Sequence, residues 1–142
     1  MSEAEGPFFL DSNILVYAFD TREPVKRART RALIESLPAE GIVLSAQVIN
    51  EFYFTMTRKL RRPLPAAEAE EAVRGLFGFR ILPLDHRLSM AAMEMVRKHK
   101  LSIWDALIIQ SALEGKCRTL FSEDFQNGRR FGGLTVINPF VD

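Results

Sequence analysis

Cysteine, histidine and tryptophan are nearly absent: the 142-residue chain has one Cys, two His and one Trp. A lone Cys117 excludes an internal disulfide and fits a reducing compartment. It lies in 115–118, at a predicted helix-to-strand turn, and reads as a small turn residue. A cysteine-protease pairing would have only His86 or His99 to draw on. No apolar run approaches the ~20 residues that span a bilayer. Residues 1–6 are acidic rather than basic, which argues against a secretory signal. The expectation is therefore a cytoplasmic protein. Strong charge of either sign is also missing. A net charge of +1 neither announces nor excludes a polyanion, which would have to be held by local patches or by bound metal. With 47% hydrophobic and 26% charged residues, the chain has ordinary globular usage and enough apolar surface for one core.

Phe8, Phe9 and Leu10 run directly into Asp11, Ser12 and Asn13. A short unbroken apolar run suits a strand buried on both faces, and Asp11 would stand at its end. Asp11 could equally cap a short helix over 14–19. A helix over 24–37 comes next, with Pro24 at its first position and Val25, Ala28, Ala32, Leu33 and Leu37 at helical spacing. Arg22 just before it and Lys26, Arg27, Arg29 and Arg31 within it make the segment basic, which suits a solvated face or a phosphate- or partner-facing one. A second strand is predicted over 41–44, and Ser45 caps a helix running to about Leu60. Val48, Phe52, Thr55 and Met56 form one side of it, with Glu51 on the boundary.

The segment 63–65 breaks the chain, and it leads into a helix over 66–77 and a third strand over 79–84. Asp85 would cap a helix over 86–99, in which Met90, Met93 and Met95 read as core filler. The helix from 101 to Gly115 is apolar on nearly every side and should be buried. Asp105 is the one charge in its first two turns, and Ser102 with Asp105 also resembles a capping box. A fourth strand is predicted over 118–122, with Glu123 and Asp124 immediately after it, then a polar loop over 128–133 and a last strand over 134–137. The order β-α-β-α-α-β-α-α-β-β predicts an α/β fold with a mainly parallel sheet of four to five strands covered by helices.

In that topology Asp11, Glu51, Asp105 and Asp124 would converge on one sheet edge. Two carboxylates ~4 Å apart repel by about 4 kcal/mol at an effective dielectric near 20. Four such groups would consume much of a total stability of about 5–15 kcal/mol, so the cluster calls for cations. An all-oxygen set without His or Cys selects a hard ion, Mg²⁺ or Mn²⁺.

These segments resemble the PIN-domain family, in particular its VapC-type toxins. The likeness is carried by 9–13, 48–52, 102–108 and 120–125, and by the ending 134–140, in order and at fitting intervals over essentially the whole chain. It implies a single PIN-like domain over 1–142 with three α/β/α layers, and a Mg²⁺- or Mn²⁺-dependent endoribonuclease. Asp11, Glu51 and Asp105 match the family's three main acids and Asp124 its more variable fourth, as metal ligands and catalytic groups. Asn13 and Ser122 match supporting polar positions, and Glu123 stands beside the fourth acid. The likeness further implies an RNA substrate, a homodimer and a cognate VapB-type antitoxin lying over the active-site groove. The helices over 24–37 and 45–60 are its expected contact surfaces.

Hydrolysis by metal-activated water would leave 5′-phosphate and 3′-hydroxyl ends. Arg58, Arg61, Arg62, Arg129 and Arg130 are candidates for holding the RNA backbone. Trp104 reads as core, although it could stack a base. The rivals are a silent PIN-like module that only binds RNA or protein, DNA as the substrate, and a haloacid-dehalogenase-type phosphatase. The last wants an Asp where Asn13 stands.

Overall fold

The opening apolar run forms the middle of the sheet. The computed structural model describes residues 4–141. Strand β1 (Phe8–Leu10) is buried at every residue, as a run without alternation requires. It pairs in parallel with β2 (Ile42–Ser45) on one side and β4 (Thr119–Phe121) on the other. Beyond β2 lies β3 (Arg80–Leu82), also parallel. Beyond β4 lies β6 (Leu134–Ile137), parallel, with β5 (Arg130–Phe131) antiparallel at the edge. The order is β3-β2-β1-β4-β6-β5.

Helices α1 (Ser12–Tyr17), α2 (Pro24–Ser36), α3 (Ala46–Phe54), α4 (Ala66–Arg74), α5 (His86–His99) and α6 (Ile103–Glu114) complete a three-layer α/β/α arrangement. Phe9, Leu10, Val43, Leu44 and Leu120 from the sheet meet Ile14, Val48, Phe52 and Ile109 from the helices in one core. Leu88 and Ala92 of α5 pack on Ala106 and Leu107 of α6 in a second cluster. No helix of the described residues is long and apolar enough to cross a membrane.

The connections locate the crevice. From β1 the chain moves outward to β2 and β3, then β4 returns to the opposite side of β1. The segments leaving β1 and β4 therefore diverge. A crevice opens outside their carboxyl ends, where open α/β sheets bind ligands. The register pairs Leu10 with Phe121, so Asp11 and Ser122 come next on adjacent strands.

Several expectations need correcting. The sheet has a sixth strand, β5, inside the stretch predicted as a loop. Two residues are too few to show alternation, and the hairpin is closed by Gly132 at φ +59, a conformation glycine adopts without strain. The helix predicted to run from 45 to 60 stops being α-helical at Phe54 and continues as a π-helical turn, Thr55–Lys59. There Leu60 N–H bonds the Thr55 carbonyl at 3.2 Å, and the Thr57 hydroxyl donates to the Tyr53 carbonyl at 2.9 Å. Met90 and Met93 are exposed rather than core, because α5 is an outer helix that buries only the Leu88–Ala92 side. On α2, Val25, Ala28 and Ala32 stay outside the core, and Leu33, Ile34 and Leu37 make the packing contacts. Cys117 is buried, which pushes its thiol up to about 12 and leaves it inert as a nucleophile.

Candidate active site

Asp11 is buried, 3% exposed, where β1 ends and α1 begins. Its Oδ1 accepts from the Ser12 N–H at 2.7 Å, so it does cap α1. Its Oδ2 accepts from the Ser122 hydroxyl at 2.7 Å, a bond across the two central strands that capping does not require. Burial pushes the Asp11 carboxyl up to about 7. The Ser122 and Ser12 hydrogen bonds oppose the shift, and the charges of Asp124 and Glu51 add to it.

The other predicted acids join Asp11 through neutral donors. The Ser122 hydroxyl accepts from the Asp124 N–H at 3.1 Å, and Asn13 Nδ2 donates to Asp124 Oδ2 at 2.9 Å. Glu51 Oε1 accepts from the Ser12 hydroxyl at 3.3 Å, and its Oε2 from Gln47 Nε2 at 3.4 Å. The same Gln47 amide donates to the Trp104 carbonyl at 3.1 Å, tying α3 to the first turn of α6 that carries Asp105. Ser102 caps that turn, accepting from the Asp105 N–H at 3.0 Å. The half-buried Asp105 carboxyl is raised by burial and then by the Asp124 charge, with Ser102 opposing.

Among the described residues, none of these four carboxylates is ion-paired to a lysine or arginine. No group of three or more His, Cys, Asp or Glu side chains among the described residues is placed so that it could hold a metal ion. Asp11, Glu51 and Asp124 are each held by a serine or amide that orients without neutralising, and charge coupling links Asp11 to Asp124 and Glu51, and Asp105 to Asp124. The donor set is all oxygen. Two further oxygens at the site, Asn13 Oδ1 and Gln47 Oε1, are buried without a hydrogen-bond partner. Repelling carboxylates beside unsatisfied acceptor oxygens fit a hard cation. Mg²⁺ is usually held by one or two carboxylates and keeps several waters, so it does not need a closed protein cage.

Glu123 stands apart from this set. Its carboxylate accepts from the Tyr17 hydroxyl and pairs with Lys26 at 3.0 Å, while Lys26 sits over the Tyr17 and Phe140 rings. This network joins α1, α2 and the C-terminal segment to the turn that carries Asp124.

The predicted basic residues separate. Arg61 and Arg62, with Arg22, line a cleft of about 510 Å³ floored by Phe19, Met56, Leu60 and Leu64. Arg58 is exposed and lines neither that cleft nor the one at Glu51. Arg129 stacks on Phe131, its guanidinium 4.6 Å from the ring centre. Arg130 lies with Glu5, Arg118 and Thr119 at the amino ends of the strands, the wrong end of the sheet for a partner of Asp11. Its antiparallel strand carries it back there. Trp104 is 63% exposed rather than core, because the buried part of α6 begins at Ala106.

The sequence reading missed two side chains. Gln47 precedes Glu51 by one helical turn, and that i,i+4 spacing was a usable signal. Lys59 lines a cleft of about 400 Å³ together with Ser12, Asn50, Glu51, Phe54 and Thr55. No sequence signal marks it, because the π turn decides which cation faces that way.

A family model described as the PIN domain matches residues 8–129. Among curated proteins, none matches the chain. Several solved structures share the fold, among them the following three. The VapC20 toxin of Mycobacterium tuberculosis, described as cleaving the sarcin-ricin loop, is 22% identical with a TM-score of 0.65, covering 82% of this chain and 91% of that one. A toxin–antitoxin complex from Klebsiella pneumoniae is 17% identical with a TM-score of 0.71, covering 93% and 97%. FitAcB from Neisseria gonorrhoeae is 22% identical with a TM-score of 0.69, covering 94% and 98%. The family match takes in β1 to β4 and every carboxylate of the crevice, and this chain belongs to the PIN domain family.

Proposed function

We propose that this chain is a Mg²⁺- or Mn²⁺-dependent endoribonuclease and the toxin of a toxin–antitoxin pair. The observation that carries the reading is Asp11: a buried carboxylate at the topological switch point, raised by burial and by two further acids, with only neutral donors around it. An asparagine could cap α1 as well and would spare the fold that penalty.

A divalent ion held by Asp11 and Asp105, with Glu51 and Asp124 reaching it directly or through water, would supply Lewis acidity at a phosphoryl oxygen and lower the pKa of water. The chain's own residues do the rest. Ser12 N–H and the Ser122 hydroxyl each occupy one Asp11 oxygen and leave a second lone pair on both. Asn13 fixes Asp124 at the exposed mouth, where an incoming strand and its water arrive first. Ser12 and Gln47 hold Glu51 on the far wall. No histidine takes part in this network, so a route through the 2′-hydroxyl lacks its usual base, and 5′-phosphate ends are expected.

The toxin–antitoxin reading draws on the solved structures that share the fold. A homodimer and a VapB-type antitoxin are the partners it implies. The cleft between Phe19–Arg22 and Leu60–Leu64 has an apolar floor and an arginine rim, which suits an antitoxin segment bearing apolar and acidic side chains. A short upstream gene for a small DNA-binding protein would support that assignment.

Asp105→Asn tests the reading with two readouts. An acid in the first turn of α6 that served only the helix dipole would contribute about 0.3–1 kcal/mol, so its removal would lower the melting temperature and leave any cleavage intact. An acid of a crowded ion site behaves oppositely. The expected outcome is a large loss of Mn²⁺-dependent RNA cleavage together with a metal-free melting temperature at or above that of the wild type.

A further inference from the structure

The cleft at Glu51 extends away from Asp11 along α3 and ends on a cation. Ser12, Asn50, Glu51, Phe54, Thr55 and Lys59 line it. Lys59 is exposed, makes no ion pair among the described residues, and holds its ammonium 5.5 Å from the centre of the Phe54 ring. Phe54 is itself 52% exposed, so ring and ammonium together form one wall open to solvent.

The π turn decides which cation stands there. On a regular α-helix, i+7 lies on the same face as i, which would bring Arg58 into line with Glu51. A single π turn inserts one residue into that count. The position in line with Glu51 becomes i+8, which is Lys59, and Arg58 moves off the cleft. The Thr57 hydroxyl bonds to the Tyr53 and Phe54 carbonyls stand at this irregular turn.

We propose that Lys59, steadied over Phe54, holds a backbone phosphate of the RNA strand next to the one that is cut. The assignment rests on the nuclease reading above and adds a substrate-positioning residue to it. An isolated ammonium at the end of a cleft whose other end is anionic gives a strand a direction. The scissile phosphate goes to the acids and a neighbouring phosphate goes to the cation. The contact is to the backbone and selects no base.

Binding is read by fluorescence anisotropy of a labelled single-stranded RNA in an Asp11→Asn background, which does not cut, across a salt series. Lys59→Met should weaken binding roughly tenfold, the value of one charge-assisted hydrogen bond. It should also flatten the slope of log affinity against log salt by about 0.7, the single-strand increment for one phosphate. In the otherwise wild-type chain, KM should rise by a similar factor with kcat nearly kept. Lys59→Arg should restore most of both, and Arg58→Met should cost less than twofold. The proposal is overturned if Lys59→Met binds and cleaves like its parent while Asp11→Asn is inactive, or if Arg58→Met loses as much as Lys59→Met. If the wild-type chain cuts no RNA with Mn²⁺, the nuclease reading fails first and this assignment falls with it.

Discussion

Asp11→Asn is expected to abolish Mn²⁺-dependent RNA cleavage, by at least about a thousandfold, and at the same time to stabilise the metal-free protein. The loss comes from position: Asp11 is the one acid bonded across β1 and β4 and electrostatically coupled to both Glu51 and Asp124. Removing a charge of this kind from a preorganised site costs on the order of 3–4 kcal/mol or more in transition-state stabilisation. The gain comes from burial. Asparagine keeps the acceptor for the Ser12 N–H and sheds the charge that the crevice penalises. A carboxyl raised from 3.8 to about 7 sets a ceiling of about 4 kcal/mol on the relief above neutral pH. Since the Ser122 hydroxyl loses its charged acceptor, roughly half of that should appear, on the order of 5–10 °C in melting temperature. A variant both dead and more heat-resistant marks a functional carboxylate; a cap alone gives a variant that keeps its activity, because asparagine caps a helix as well as aspartate does.

The second large effect is on pH and divalent ions together. Folding raises the Asp11 pKa above its unfolded value, so folding favours the protonated form. The corresponding stability is fully present below about pH 4 and is lost as pH rises through about 7. Metal-free wild type should therefore lose up to about 4 kcal/mol relative to Asp11→Asn between those limits, and nothing further above pH 8. The difference between the two proteins isolates this group from every other titration. Mn²⁺ should offset most of the loss, because an ion that binds only the folded, deprotonated site adds about 2.7 kcal/mol at a hundred times its Kd. Asp11→Asn should gain far less from the ion. Chemical denaturation at several pH values, with EDTA or Mn²⁺, reads both terms.

Much of this is legible in the chain. Asp11 can be placed because three apolar residues without alternation suit a buried strand, and the residue after such a strand stands at the crevice. Asp85 and Ser102 read as caps from local chemistry alone, and they accept from Leu88 and Asp105 as that chemistry requires. Asp124 needs only the end of β4. The expectations that fail lack a local cause. Trp104 precedes an acid on a helix that is apolar all round, and such a helix has no amphipathic phase to show which end leaves the core. Met90 and Met93 have the composition of core residues, but only tertiary layering exposes α5. Arg130 comes soon after the fourth acid in sequence, and a hairpin too short to read turns it to the far end of the sheet. That Lys59 rather than Arg58 lines the cleft at Glu51 was not legible, because a π turn leaves no periodic signal when it occupies five residues.

The site's hydrogen bonds give neighbouring polar residues the task of orienting the acids. Ser12, Asn13, Gln47 and Ser122 contribute no charge, and each holds one carboxylate in place. Had a lysine or arginine taken any of these places, the acid would be satisfied internally and unavailable to a cation. Glu123 is the comparison within the same turn: paired with Lys26 and Tyr17, it serves the scaffold.

Mapping the ends of RNA cut by the purified chain, with Mn²⁺ and with EDTA, tests metal, acid and mechanism at once. The expected result is cleavage only with the divalent ion, absent in Asp11→Asn, leaving 5′-phosphate and 3′-hydroxyl termini. Cleavage that persists in EDTA or in Asp11→Asn, or that leaves 2′,3′-cyclic phosphates, would contradict it.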